Sequence, residues 1–238
     1  ISRPYVKFMY GLISRRENTR IIFQNPDDMS AFTALVSLDA SKAALIRGSG
    51  VDISRFAPSA EPDGVPVIVL CARMLGNKGV WDLAAAAGIL KTSGAKFQII
   101  LAGDIDPGNP DSIPKEQLLD WERQGLVKWI GHANEMQRVF AGANIVALPS
   151  YGEGLPKSLM EAAATGRAIV TYDVPGCREV VLHGKNGLRV PLKNVEALAG
   201  ALKELIDDPV RRKRMGEAGR ELAVNEFSLE KVLTETMQ

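Results

Sequence analysis

From Val65 onward the chain alternates short apolar runs, rich in β-branched residues, with longer amphipathic or Ala-rich runs, and few folds accept that alternation. The apolar runs are "VPVIVLCA" (65–72), "KFQIILAG" (96–103), "LVKWIG" (126–131), "ANIVALPS" (143–150), "AIVTYD" (168–173) and "NGLRVP" (186–191). They show little polar alternation, as expected of strands covered on both faces. Helical spacing is read near 78–93, 114–124, 134–141, 156–166 and 176–182, then at 194–207, 209–225 and 228–237. Repeated βα units of this kind predict an α/β fold: a doubly wound, Rossmann-like parallel sheet whose ligands sit beyond the carboxyl ends of its strands.

Residues 1–60 do not repeat the pattern. "TRIIFQNPDDMSAFTAL" predicts a strand, a turn at Asn25-Pro26-Asp27-Asp28 and a helix; "AALIRGSGVDISRFAP" predicts a short strand leading to a linker. The Pro-containing segment "SAEPDGVP" is the expected boundary, giving 1–60 as the trailing part of a first Rossmann-like domain, 61–225 as the main domain and 226–238 as a C-terminal helix. The opening "RPYVKFMYGLISRR" is read as a helix of that first unit with an apolar face, a membrane-surface helix being the other reading. Because the chain starts with Ile rather than Met, the natural protein is expected to begin earlier.

The balance of 29 basic against 28 acidic residues, without long single-sign runs, argues against a nucleic-acid partner. Small-molecule chemistry is expected instead. Cys71 and Cys177 lie far apart and suggest neither a disulfide framework nor a zinc site, which fits a reducing compartment. No apolar run approaches the ~20 residues that span a bilayer, so the expectation is a soluble protein or one attached to a membrane surface.

The first strand of the main domain ends in "ARMLGNKGV", which puts Arg73 and Lys78 in a loop at the ligand edge, with Asn77 expected as N-cap and Gly76 as a turn residue. A guanidinium, an ammonium and free backbone N–H groups suit a phosphate or diphosphate. A solvated basic loop is the alternative; neither a P-loop nor a G-x-G-x-x-G fingerprint is present. A second loop, "PSYGEGLPKSLMEAAATGRA", sets Glu153 before a helix whose first turn holds Pro156, and Glu161 in its second turn, on a polar stripe with Lys157, Ser158 and Thr165. Leu159, Ala162, Ala163 and Gly166 form the opposite, small-residue face. Carboxylates that accept hydrogen bonds from hydroxyls, beside N–H groups that donate to phosphate oxygens, would suit a sugar joined to a nucleoside diphosphate. Dipole compensation for Glu153 and an i,i+4 pair with Lys157 for Glu161 are the structural alternatives.

Taken together, Arg73-x4-Lys78-Gly79, Glu153-Gly154-x-Pro156 and the Glu-x7-Glu spacing to Glu161 resemble the donor-binding, C-terminal half of the GT-B glycosyltransferases of family 4. The resemblance extends through "GSGVDISRFAP", "DVPGCREVV", "GKNGLRVP" and "RRKRMGEAGRELAVNEFS". "GDIDPGNPDSIPKEQLLDWERQGLVKWIGHANEM" is further similar to bacterial members that extend lipid-linked oligosaccharides for capsule, O-antigen or protein glycosylation. The resemblance implies a retaining glycosyltransferase without a required cofactor, using a nucleotide-diphosphate sugar, UDP-sugar favoured, and a saccharide or polyprenyl-diphosphate-linked acceptor. It implies a cytoplasmic protein, with peripheral contact at the inner face of the membrane through the rest of the first domain. It assigns Arg73 and Lys78 to the diphosphate and to leaving-group charge, Glu161 to the ribose hydroxyls, and Glu153 to the donor sugar. The backbone of Gly154, Leu155 and Pro156 lies beside that sugar, and the 130–136 loop lies near the base.

Other readings remain open at this point. A sugar-nucleotide epimerase or phosphorylase would keep the anion site, and a donor-binding module would bind without turnover. Asp104 and Asp106 form an Asp-x-Asp that is read as a Gly/Pro-rich turn rather than a metal site. A two-carboxylate hydrolase is disfavoured because neighbouring cations oppose a raised carboxyl pKa. His132 and His183 have no evident nucleophilic partner, and Trp81, Trp121 and Trp129 are read as packing residues.

Overall fold

The computed structural model describes residues 3–237. The first segment runs α1 (Arg3–Ser14), β1 (Ile21–Phe23), α2 (Pro26–Val36) and β2 (Ala43–Leu45), with β1 and β2 paired in parallel, Ile21 opposite Ala43. The stretch expected as a turn at 25–28 is instead a helix start: Asn25 caps α2 by accepting from the Asp28 N–H at 2.7 Å, and Pro26 occupies the first turn. Proline loses nothing there, because that N–H would have no intrahelical partner. Helix α1 is held to α2 by the Tyr10–Phe32 edge contact, while Tyr5, Phe8, Leu12 and Ile13 are exposed.

The main body runs β3 (Val67–Cys71), α3 (Val80–Thr92), β4 (Gln98–Ala102), α4 (Lys115–Arg123), β5 (Lys128–Gly131), α5 (Met136–Ala141), β6 (Ile145–Leu148), α6 (Lys157–Ala164), β7 (Ala168–Tyr172), α7 (Cys177–Val180), β8 (Gly187–Val190), α8 (Val195–Asp207), α9 (Pro209–Glu226) and α10 (Leu229–Thr236). Six parallel strands lie in the order β5-β4-β3-β6-β7-β8. The order therefore reverses between β3 and β6, which pair through Ile68–Ile145 and Val69–Val146. Right-handed crossovers running outward in both directions from that point put α3 and α6 on opposite faces. Helix α3 packs on α8, and α6 packs on α9. Every residue of β6 and β7 is buried, which explains why their sequences lack polar alternation. At a reversal of strand order, the loops leaving the two central strands splay apart and open a crevice.

The 58–64 linker is fixed to this body by buried arginines. Arg167, at 1% exposure, donates to the carbonyls of Phe140, Ser59, Ala60 and Ala141, and Arg212 reaches Glu61 at 2.7 Å. The chain's end returns to the first segment: the Val51 N–H donates to the Phe227 carbonyl and the Leu229 N–H to the Val51 carbonyl. Among the described residues, no helix is long and apolar enough to cross a membrane.

Candidate active site

The crevice at the β3/β6 reversal is built from the loops 72–79 and 149–156. They touch at Gly79, whose φ of 72° and lack of a side chain let its Cα press on Pro149; a Cβ there would meet the Pro149 carbonyl oxygen at 2.0 Å. The Tyr151 N–H and the Ser150 hydroxyl both donate to the Asn77 carbonyl. This contact brings Lys78 and Glu153, 75 residues apart in sequence, together: Nζ donates to Oε1 at 2.6 Å, with side chains 20% and 14% exposed. A largely shielded pair of this kind is weakly screened, so its field acts on whatever enters the crevice.

Arg73 leaves the end of β3 into the same loop but is exposed and held by Asp106, Nη1 to Oδ2 at 2.7 Å. The 104–113 loop lies across the 72–79 loop. Asp111 accepts the Asn77 N–H on Oδ2 at 2.7 Å, and its carbonyl accepts the Gly76 N–H. Two expectations are corrected here. Residues 76–78 form a short 3-10 turn and α3 is capped by Gly79, so Asn77 is not the N-cap; and the backbone donors at Gly76 and Asn77 are taken by Asp111. The physical reason is that an acidic turn from the neighbouring strand β4 reaches those N–H groups first.

Helix α6 begins at Lys157 with Pro156 as its extended N-cap, one residue later than the sequence implied, and the first-turn N–H of Leu159 turns back to the Pro156 carbonyl. Glu161 does not lie on a solvated stripe. It is 8% exposed; its charge is felt by the buried Cys71 thiol at the end of β3, and burial pushes its own carboxyl up, against the pull of Lys157 and Arg55. Lys157 Nζ stands off at 3.9 Å, too far for a hydrogen bond. Thr165 is also buried, its hydroxyl bonded back to the Glu161 carbonyl. The small-residue face is as expected in its burial: Leu159, Ala162 and Ala163 are inaccessible.

The loop carrying Glu153 is gripped from two sides. Its N–H donates to Pro175, and Gly176, at φ 81°, lies so close that a Cβ would meet the Glu153 carbonyl at 2.3 Å. On the other side Asn25 Nδ2 donates to the Gly154 carbonyl at 2.8 Å, and a Cβ on Gly154 would meet Gln24 Oε1 at 2.4 Å. Leu155 and Pro156 are buried, with Leu155 against Gly48. A third tie was invisible in sequence: Asp82 on α3 accepts from Tyr172 at 2.7 Å and from Tyr151 at 3.2 Å. Burial and the Asp82 charge push the Tyr151 hydroxyl up to about 12, so it stays a donor at neutral pH.

Asp104 and Asp106 are spent separately, on His132 (3.3 Å) and Arg73. His183 Nδ1 accepts the Arg189 N–H, a structural use. Trp81 and Trp121 pack edge to face, and Trp129 Nε1 donates to the Gly103 carbonyl. A cavity of about 840 Å³ lies at the opposite, amino-terminal edge of the sheet, between the linker and α9. Its arginines 167, 212 and 220 all donate to backbone carbonyls, which marks it as a seam of the fold.

The family model described as glycosyl transferases group 1 matches residues 53–222. An N,N'-diacetylbacillosaminyl-diphospho-undecaprenol alpha-1,3-N-acetylgalactosaminyltransferase of Campylobacter jejuni is 28% identical over 79% of this chain and 51% of its own length. An alpha-maltose-1-phosphate synthase of Mycolicibacterium smegmatis is 31% identical over 79% of this chain and 48% of its own. The chain thus spans about half the length of these relatives. In fold, sucrose-phosphate synthase of Thermosynechococcus elongatus superposes with a TM-score of 0.85 at 23% identity, over all of this chain and 61% of that one. Anabaena HepE in complex with UDP gives 0.85 at 20%, over all of this chain and 68% of that one. With the family match running through every strand of the main sheet and both loops of the crevice, the chain belongs to the glycosyl transferases of group 1, on the GT-B fold.

Proposed function

We propose that the chain is the donor-binding part of a retaining glycosyltransferase that moves a sugar from a nucleotide-diphosphate donor, a UDP-sugar for preference, to a saccharide or polyprenyl-diphosphate-linked acceptor. The observation that carries this reading is the Lys78–Glu153 pair, a cation and a carboxylate held at the strand-order reversal with Arg73 in the same loop. Cleaving a sugar–diphosphate bond leaves positive charge on the sugar and negative charge on the departing phosphate. Lys78 and Arg73 stabilise the latter as the diphosphate replaces the carboxylates that now hold them; a preorganised donor is worth about 3–4 kcal/mol in such sites. Glu153, released from Lys78, then accepts from sugar hydroxyls beside the backbone of Gly154, Leu155 and Pro156. Glu161, facing the sheet edge, takes the ribose hydroxyls, and the 130–136 loop borders the base. No metal is required by this chemistry.

The polyprenyl acceptor is suggested by the name of the Campylobacter relative, and the uridine base by the UDP held in the HepE structure. In this reading residues 61–225 form the donor domain, 1–60 the end of an acceptor domain, and 226–238 a closing helix, in a cytoplasmic enzyme that works at the inner membrane face. Calorimetric binding of UDP, GDP and ADP to the chain and to its Arg73→Ala/Lys78→Ala variant tests it. One diphosphate should bind, and the double variant should lose at least 10-fold in affinity, the effect of about 1.4 kcal/mol. Equal binding by the variant would remove the phosphate pocket from this loop.

A further inference from the structure

The loop that carries Glu153 is held by a side chain from the first segment, 129 residues away in sequence. Asn25 is 0% exposed, and each of its polar atoms has a fixed partner: Oδ1 accepts the Asp28 N–H at 2.7 Å, and Nδ2 donates to Asp28 Oδ2 and to the Gly154 carbonyl, both at 2.8 Å. A buried amide with all these contacts satisfied cannot turn without orphaning a group, so its geometry is rigid. Next to it, Gln24 Oε1 lies over the Cα of Gly154, where an added Cβ would meet it at 2.4 Å and push that side chain aside. Across the loop, Pro175 and Gly176 hold the Glu153 backbone. A third tie between the two segments, Arg178 between Asp27 and Asp173, crosses the same seam at 3.5 and 3.2 Å. The backbone of Glu153 and Gly154 is thus set between two walls, one of them supplied by the β1–α2 loop.

We propose that Asn25 is a positioning residue for the donor sugar: by fixing the Gly154 carbonyl it aims the Glu153 carboxylate, although Asn25 itself touches no donor. This rests on the donor-domain reading above. Its consequence is selective. Arg73 and Lys78 sit on the other loop, so loosening the Gly154 tie lowers affinity for the sugar end of the donor and spares the diphosphate end.

Asn25→Ser separates this role from helix capping. Serine keeps a good cap for α2 but is too short to reach Gly154, and Asp28→Ala, which keeps the Gly154 tie, serves as the control. The measurements are calorimetric affinities for UDP and UDP-glucose, and amide hydrogen exchange across residues 152–156. In Asn25→Ser, exchange at 152–156 should rise about tenfold and UDP-glucose affinity fall about tenfold, as expected for one lost buried hydrogen bond, with UDP unchanged within about twofold. Asp28→Ala should change neither the exchange nor the ratio of the two affinities. Unchanged exchange in Asn25→Ser, or UDP and UDP-glucose weakened equally, would overturn the proposal. If the unsubstituted chain binds neither nucleotide, the donor-domain reading and the sugar-aiming role fall together, and the exchange arm still reports whether Asn25 grips the loop.

Discussion

Glu161 is the residue whose environment departs furthest from its sequence signature. The Lys157-x3-Glu161 spacing reads as an exposed helix pair, yet α6 is pressed so deeply between sheet and α9 that the carboxylate is buried beside the end of β3. Its folded-state pKa is raised by burial, so the fold favours the protonated form. The stability this contributes is complete below the unfolded value near 4.5 and is lost as pH rises through the folded value. Glu161→Gln, neutral at every pH, should therefore be more stable than the parent at pH 7–8, and the gap should close near pH 4. Thermal melts at both pH values read this as ~2–4 °C per kcal/mol released. In the proposed role, the same ionised carboxylate gains partners when ribose hydroxyls arrive. Arg73, Lys78 and Glu153 were legible one at a time, from cations and a Gly-flanked carboxylate at strand ends. Their self-pairing was not, because Asp106 and the Lys78–Glu153 contact depend on which strands are neighbours.

At the scale of elements, the six apolar runs each enclose an observed strand; the central β6 and β7 are covered on both faces and carry sequences without polar alternation, whereas the edge strand β5 is partly exposed. Boundaries at loops were read less well, and at α3 for a definite reason: its start is preceded by a 3-10 turn whose Asn77 N–H is taken by Asp111, 34 residues along the chain. Asn25 followed by Pro26 does carry a capping signature that sequence alone could have used. The two crevice loops meet at Gly79, and its contact is with backbone, which cannot swing aside. Gly79→Ala should consequently cost about 2–4 kcal/mol, from a left-handed φ combined with a displaced Pro149. Urea unfolding measures that loss; a change under 1 kcal/mol would mean that the loops are free to move apart. Nucleotide affinity should fall in the same variant, because separating the loops widens the crevice that holds the two ends of the donor.

For the whole molecule, the strand order places the crevice, and buried arginines close the opposite edge. Arg167 gathers carbonyls from the linker and from the end of α5, so Arg167→Met should leave several of them without a donor and destabilise the protein by roughly 3 kcal/mol. Nucleotide affinity at saturating fold should be unchanged, as the residue lies at the far edge of the sheet; a selective loss of binding with normal stability would contradict the assignment of that cavity to the fold. The seam between Val51 and residues 227–229 bears on synthesis as well as on stability. The Val51 amide donates to a carbonyl that emerges 176 residues later (227 − 51), and its own carbonyl waits for Leu229. At translation rates of about 5–20 residues per second, Val51 stands without this partner for roughly 10 to 35 s on the ribosome. Residues 227–229 are thus the clasp for a segment synthesised well before them.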